Sequence, residues 1–322
     1  MSTQHYPLVF TPILQDRIWG GTKLRTDLGK DIPTETTGES WELSAVEGNV
    51  SIVKNGGLAG TPLTDLLEQF PDDILGTAVH AKFGKQFPLL FKFLDAREDL
   101  SIQVHPNDAL AKERHNSFGK TEMWYVMQAD EGSRIIVGFK EKSSPEEYLD
   151  KLKNKNLIDI LNEQPVKKGD VYFLETGTIH AIGAGIVIAE IQQTSDITYR
   201  IYDWDRVDAN GNGRQLHVEE ALEAMNYNPT DTKKEYTKNI NESNVTVDCP
   251  YFTTNYFPLQ GSADITKDGN SFTVYICTEG EYSIDAEGET YSFKKGDTVL
   301  IPAALKAFTL NGRATLLEIY IS

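Results

Sequence analysis

Four residues in this chain have the types and the surroundings to hold one metal ion: Gln103, His105, Glu122 and His180. In SIQVHP, Ser101, Gln103 and His105 alternate with Leu100, Ile102 and Val104, and the two-residue period of a strand turns Gln103 and His105 to one face. Glu122 opens the apolar run EMWYVM, and His180 closes the glycine turn ETGTIH. The resulting set of two imidazoles, a carboxylate and an amide suits Zn²⁺, and Fe²⁺, Mn²⁺, Co²⁺ or Ni²⁺ could occupy it too. Taken singly, each residue has a plainer use in packing or hydrogen bonding. The remaining histidines, His5, His80, His115 and His217, are assigned to that use.

Strands must do the positioning. The apolar segments are short, rich in Val, Ile, Phe and Tyr, and bounded by Gly, Asn or Asp, as at 100–105, 122–127, 133–139, 170–175, 185–193, 197–204, 272–278 and 297–302. Helical periodicity is confined to 61–70, 106–116, 144–161 and 216–226, which predicts a mainly β protein with a few peripheral helices. The polar segment 226–239 separates two strand-rich regions and sets an expected division into residues 1–230, with the metal site, and residues 231–322.

The second region repeats a turn of the first without its chemistry. GDVYFLETGTIHA (169–181) and GDTVLIPAALKAF (296–308) both start with Gly-Asp and run through an apolar strand to a turn, and eleven positions after the glycine one has His180 and the other Ala307. The preceding strands, EMWYVMQADEGS and FTVYICTEGEYS, set Glu122 against Phe272. Gly-Asp turns are common in β-rich chains. Joint loss of both ligands instead fits a duplicated domain whose second copy is filled with apolar side chains, and predicts one metal per chain.

Composition narrows the partners. A formal net charge of −17 leaves no basic surface for a nucleic-acid duplex, so an anionic substrate must find a local cluster of positive charge. With 39% hydrophobic and 25% charged residues over 322 positions, the chain is globular and long enough for two cores. Cys249 and Cys277 fit no metal-binding spacing, no run of 18 apolar residues occurs, and the start MSTQHYPLVF lacks a leader pattern; a reduced, cytoplasmic protein without membrane attachment is expected.

At these residues the chain resembles the type I mannose-6-phosphate isomerases in their short bacterial form, a family of the cupin superfamily. The second cupin pattern reads Gly169, Glu175 in the usual proline place, Gly177 and His180, and the repeat keeps Gly296 and Pro302 but has Ala304 and Ala307. Similar motifs run through RIWGG (17–21), GESWELS (38–44), FPLLFKFLDA (87–96), LSIQVHPND (100–108), GKTEMWYV (119–126), GTIHAIG (177–183) and QQTSDITYRIYDWDR (192–206). The resemblance implies two cupin-like domains, each a double-stranded β-helix or jelly roll, and a single Zn²⁺ on Gln103, His105, Glu122 and His180. It also implies Arg200 as the essential arginine and Lys120 as an active-site residue. The long forms of the family carry a large helical insertion before the histidine turn, where this chain has one modest helical stretch.

The implied reaction interconverts mannose 6-phosphate and fructose 6-phosphate. It moves a proton between C1 and C2 through an enediol whose oxygen charge a metal stabilises. Arg200 shares its strand face with Thr198 and Tyr202 and can bind the intermediate or the phosphate; the plainer alternative pairs it with Asp203 or Asp205. Lys92 is a candidate for binding the sugar phosphate, and Trp19, Trp41 and Trp124 could face the ring, although core packing accounts for Trp124 equally well. Glu190 is the candidate base, on the expectation that burial raises its pKa, with an ion pair to a lysine or arginine as the alternative. A metal-dependent cupin dioxygenase and a non-catalytic sugar-binding cupin are the rival readings.

Overall fold

Two antiparallel sheets build the first domain in the computed structural model, which describes residues 5–207 and 211–322. The larger sheet runs, in spatial order, Lys233–Lys234, Val171–Leu174, Glu122–Ala129, Ile186–Gln193, Leu89–Ala96, Thr37–Leu43 and Ile13–Gly21. The smaller runs Leu161–Pro165, Arg134–Phe139, His180–Ile182, Ile102–Val104 and Tyr199–Tyr202. Every residue of Thr37–Leu43, Leu89–Ala96 and Ile186–Gln193 is buried. One face of these strands looks into the space between the sheets, and the other packs on a core shared with the second domain. Double-sided burial is why Leu89–Ala96 and Ile186–Gln193 read as largely apolar runs instead of clean alternation.

The second domain is a six-stranded antiparallel sheet that includes three strands of 14 residues, Thr253–Thr266, Thr273–Ala286 and Ala307–Tyr320. It curls around its own core of Tyr275, Cys277, Ile284, Leu310 and Leu316. Lys233–Lys234 pairs with Val171–Leu174 of the first sheet pair, and the second sheet starts at Asn244.

The expected helices appear as Leu63–Gln69, Asp108–His115, Pro145–Lys153 and Val218–Ala224. Lys23–Thr26, Pro71–Leu75 and Thr77–Phe83 were not expected; at four to seven residues they are too short to show a helical period. No described helix is long and apolar enough to cross a membrane.

Strand register sharpens the comparison between the two domains. Leu174 pairs with Glu122, whereas Ile301, at the matching place in the repeated turn, pairs with Thr273. Thr273, not Phe272, therefore stands where the first domain has Glu122. A one-residue step reverses the face on which a side chain lies. Phe272 accordingly turns to the core between the domains, fully buried, its ring 5.0 Å from that of Phe87. Replacing Phe272 by Ala should cost about 3–5 kcal/mol of stability by opening a cavity in that shared core, measurable by urea denaturation.

Candidate active site and metal centre

Two rows of cross-strand neighbours face one another between the sheets of the first domain. On the larger sheet Trp124, Glu190, Lys92 and Trp41 stand side by side on four adjacent strands. On the smaller sheet His180 pairs with Gln103, and Gln103 with Arg200. A cavity of about 530 Å³ lies between them, a size suited to a small polar ligand.

Glu122, His105 and His180 converge behind the lining residues Gln103 and Lys120, their candidate ligand atoms all within 4.8 Å of one another. Glu122 Oε2 is 3.5 Å from His105 Nε2, and Oε1 is 3.3 Å from His180 Nε2. Each imidazole donates its Nδ1 hydrogen to a backbone carbonyl, His105 to Ile197 at 2.9 Å and His180 to Thr178 at 2.8 Å. That fixes the tautomer and leaves both Nε2 lone pairs pointing at the carboxylate. Burial holds the His105 imidazole well below its usual pKa and brings His180 to about 4, so both are neutral at pH 7. The Gln103 amide lies 3.2 Å from His180 Nε2, within reach of the same cluster.

The Glu122 carboxylate is fully buried and neither oxygen accepts a well-formed hydrogen bond. Lys120 Nζ, 3.1 Å away and itself buried, supplies one countercharge. Burial still pushes the Glu122 carboxyl up from its ordinary range, against the pull of Lys120. Two neutral imidazoles, an under-satisfied carboxylate and an amide form a nitrogen and oxygen donor set of the kind that binds a divalent cation.

The expected neighbours are brought to the same cavity. Trp19, Lys92, Lys120, Glu190 and Arg200 all line it. Lys92 is buried, 3.3 Å from Glu190 Oε1 and 4.9 Å over the ring of Trp41, and so is no solvated surface lysine. Trp124 is not in the lining: its indole N–H donates to Glu190 Oε2 at 3.0 Å, and its ring meets His180 edge-on.

Two expectations need adjusting. Burial would raise the Glu190 carboxyl, but the Lys92 and Lys120 charges outweigh it and leave the pKa lowered, not raised. Leu100 precedes the strand Ile102–Val104 and lines the cavity, while Ile102 and Val104 enter a separate core on the far face. Asp203 and Asp205 do not neutralise Arg200 directly, because Asp203 bonds Arg206 and Arg214 and Asp205 pairs with Lys155. Arg200 donates from Nη1 to the Gln215 carbonyl at 2.9 Å, and its Nε is buried without a partner. His80, His115 and His217 hydrogen-bond to Asp72, Tyr199 and the Arg200 backbone.

Arg17, Glu39, Asp196 and Arg214 also line the cavity and were not singled out in the sequence. Glu39 holds Arg17 through both carboxylate oxygens, at 2.9 and 3.1 Å, and accepts the Trp41 indole hydrogen at 2.6 Å. The two-residue step from Glu39 to Trp41 in GESWELS was the available signal.

The second domain touches the framework of the site. Tyr251 donates to Asp108 Oδ2 at 2.7 Å, and Asp108 Oδ1 accepts from Gly119 N at 2.8 Å and Gln193 Nε2 at 3.0 Å. Gln193 Oε1 in turn accepts the backbone N–H of Thr121 at 2.8 Å, next to Glu122.

The geometry has close counterparts. Residues 8–135 match the family model of the phosphomannose isomerase type I catalytic domain, and residues 241–321 match that of the mannose-6-phosphate isomerase cupin domain. A mannose-6-phosphate isomerase of Streptococcus mutans is 38% identical over 95% of this chain and 95% of its own. The chain belongs to the type I mannose-6-phosphate isomerase family. Bacillus subtilis ManA, another member, is 38% identical over 96% of each chain. A crystal structure of the mannose 6-phosphate isomerase from Bacillus subtilis superposes with a TM-score of 0.91 at 35% identity, covering 99% of this chain and 100% of that one. A putative mannosephosphate isomerase from Archaeoglobus fulgidus, at 23% identity and a TM-score of 0.82, shares the fold. The mainly β, cupin-type architecture that the family resemblance implied is as found.

Replacing Glu122 by Gln should weaken divalent-cation binding by more than about 10-fold while leaving the far-UV circular dichroism unchanged, as read by competition of the metal-free protein with a chromogenic chelator.

Proposed function

We propose that this chain interconverts D-mannose 6-phosphate and D-fructose 6-phosphate, with one Zn²⁺ held by Gln103, His105, Glu122 and His180. The observation that carries the metal assignment is the Glu122 carboxylate, buried without a proper hydrogen-bond partner between two imidazoles whose lone pairs face it. Bound there, Zn²⁺ supplies Lewis-acid charge for the oxygen that becomes negative as a proton moves between C1 and C2.

The chain's own residues do the rest. Lys120, buried 3.1 Å from Glu122, holds a fixed positive charge beside the reacting carbons. Glu190 is kept ionised by Lys92 and Lys120 and oriented by the Trp124 indole, so it is ready to accept the migrating proton. Arg200 lines the cavity without a carboxylate partner among the described residues and offers its guanidinium to the oxygens of the substrate. Lys92 meets the sugar hydroxyls from the opposite sheet, and Trp19 provides an apolar wall. A dioxygenase or a purely sugar-binding cupin is not favoured, since the relatives that match over nearly the full length carry the isomerase name.

Purified protein treated with chelator should lose mannose-6-phosphate isomerisation in a coupled assay and regain it with Zn²⁺. Full activity in a metal-free sample would overturn the metal assignment. Arg200→Ala should lower kcat by about 100-fold with bound metal unchanged; loss of metal along with activity would mark Arg200 as structural.

A further inference from the structure

The five cations lining the cavity are not equally neutralised. Arg17 is held by Glu39, Lys92 by Glu190 and Lys120 by Glu122, each one acid to one base. Arg214 shares its acid with a second guanidinium: it bonds Asp203 from Nε at 2.7 Å and Nη2 at 2.5 Å, and Arg206 takes the same carboxylate at 2.5 Å. Arg200 makes no ion pair to a carboxylate among the described residues. Arg206 also lies 4.0 Å from Glu98, so the lining guanidinium left without a carboxylate partner among the described residues is that of Arg200, with Arg214 on the same wall. The exposed Asp196 stands on the same lining.

Position adds to the charge argument. Gln103 of the metal cluster pairs with Arg200, and the segment around His217 pairs with Arg200 in turn, His217 N donating to the Arg200 carbonyl at 2.7 Å. Arg214 lies three residues before His217, in an irregular segment on the side of Arg200 away from Gln103. The order along the wall is metal ligand, Arg200, Arg214. An open-chain hexose 6-phosphate has the same order, its reacting carbons at one end and a phosphate of about −1.5 to −2 charges at the other.

We propose that Arg214, held by Asp203 beside Arg200, is the phosphate anchor of this site and sets its preference for phosphorylated over free sugars. Asp203 fixes the guanidinium plane through two bonds, and Arg214 remains partly exposed, with a side-chain accessibility of 29%, so it can meet a bidentate anion without rearrangement. Arg206 engages the same carboxylate and the Asp99 carbonyl but does not line the cavity. It serves as the internal control.

The proposal rests on the sugar-phosphate isomerase reading, and the test separates the two. Arg214→Ala should raise KM for mannose 6-phosphate by roughly 10- to 100-fold, with kcat changed far less, and should raise the inhibition constant of inorganic phosphate in parallel. Arg214→Lys, which keeps the charge but not the fork, should recover part of both losses. Arg206→Ala removes a comparable share of the bonds to Asp203 and should leave KM and phosphate inhibition near wild type. Equal KM shifts in Arg206→Ala and Arg214→Ala, or a kcat loss in Arg214→Ala without weaker phosphate inhibition, would overturn the proposal. If the wild-type chain turns over no mannose 6-phosphate, the isomerase reading fails by itself. Direct titration of the metal-loaded wild-type and Arg214→Ala proteins with inorganic phosphate then still decides whether Arg214 binds the anion.

Discussion

The Glu122 carboxylate is the constraint around which the site is built. A buried carboxylate without enough donors costs several kcal/mol unless charge is brought to it. Lys120 and two neutral histidines surround it, and the histidines are locked by carbonyls of Thr178 and Ile197. Those carbonyls belong to the glycine turn and to the loop before Tyr199–Tyr202, so three separate parts of the chain must be in place together. The same under-satisfied charge that burdens the metal-free fold is what a divalent cation relieves.

Around this centre the polar groups are organised by lateral neighbours in the sheets more than by proximity in sequence. Trp124, Glu190, Lys92 and Trp41 come from four strands, yet they form one chain of contacts because the register sets them in a row. Arg17, Lys92 and Lys120 each meet one acid, whereas Arg200 has no carboxylate partner among the described residues. Matched pairs make a rigid lining that does not attract anions by itself. The unmatched wall gives the cavity a direction, which a molecule with one reactive end and one charged end can use.

The second domain has lost its own ligands but not its structural part. Its Phe272 completes the core behind the larger sheet, and Tyr251 reaches Asp108, from which hydrogen bonds lead through Gln193 to the backbone beside Glu122. Packing behind the larger sheet and polar contact with the framework of the site are consistent with a duplicate retained as a support.

Much of this was legible in residue order. Alternation in SIQVHP, the glycine turn before His180 and the missing counterparts in the repeat were enough to single out His105, Glu122 and His180, which the fold brings together, because strand periodicity and turn chemistry are local properties. The family resemblance added Arg200 and Lys120, and strand context added Glu190 and Lys92; all four line the cavity. Local pattern could not say that Glu190 would be held below its usual pKa instead of above it, since that depends on two lysines from other strands. Nor could it separate Phe272 from Thr273, because pairing register is decided by the partner strand. Arg17 and Arg214 were given no role until the fold placed one beside Glu39 and the other on the wall with Arg200. The sequence by itself determined which side chains could bind a metal and on which strands they lie. Only the tertiary structure decided which charges are cancelled and which remain, because that balance is set by distances across sheets between residues as far apart as 39 and 214.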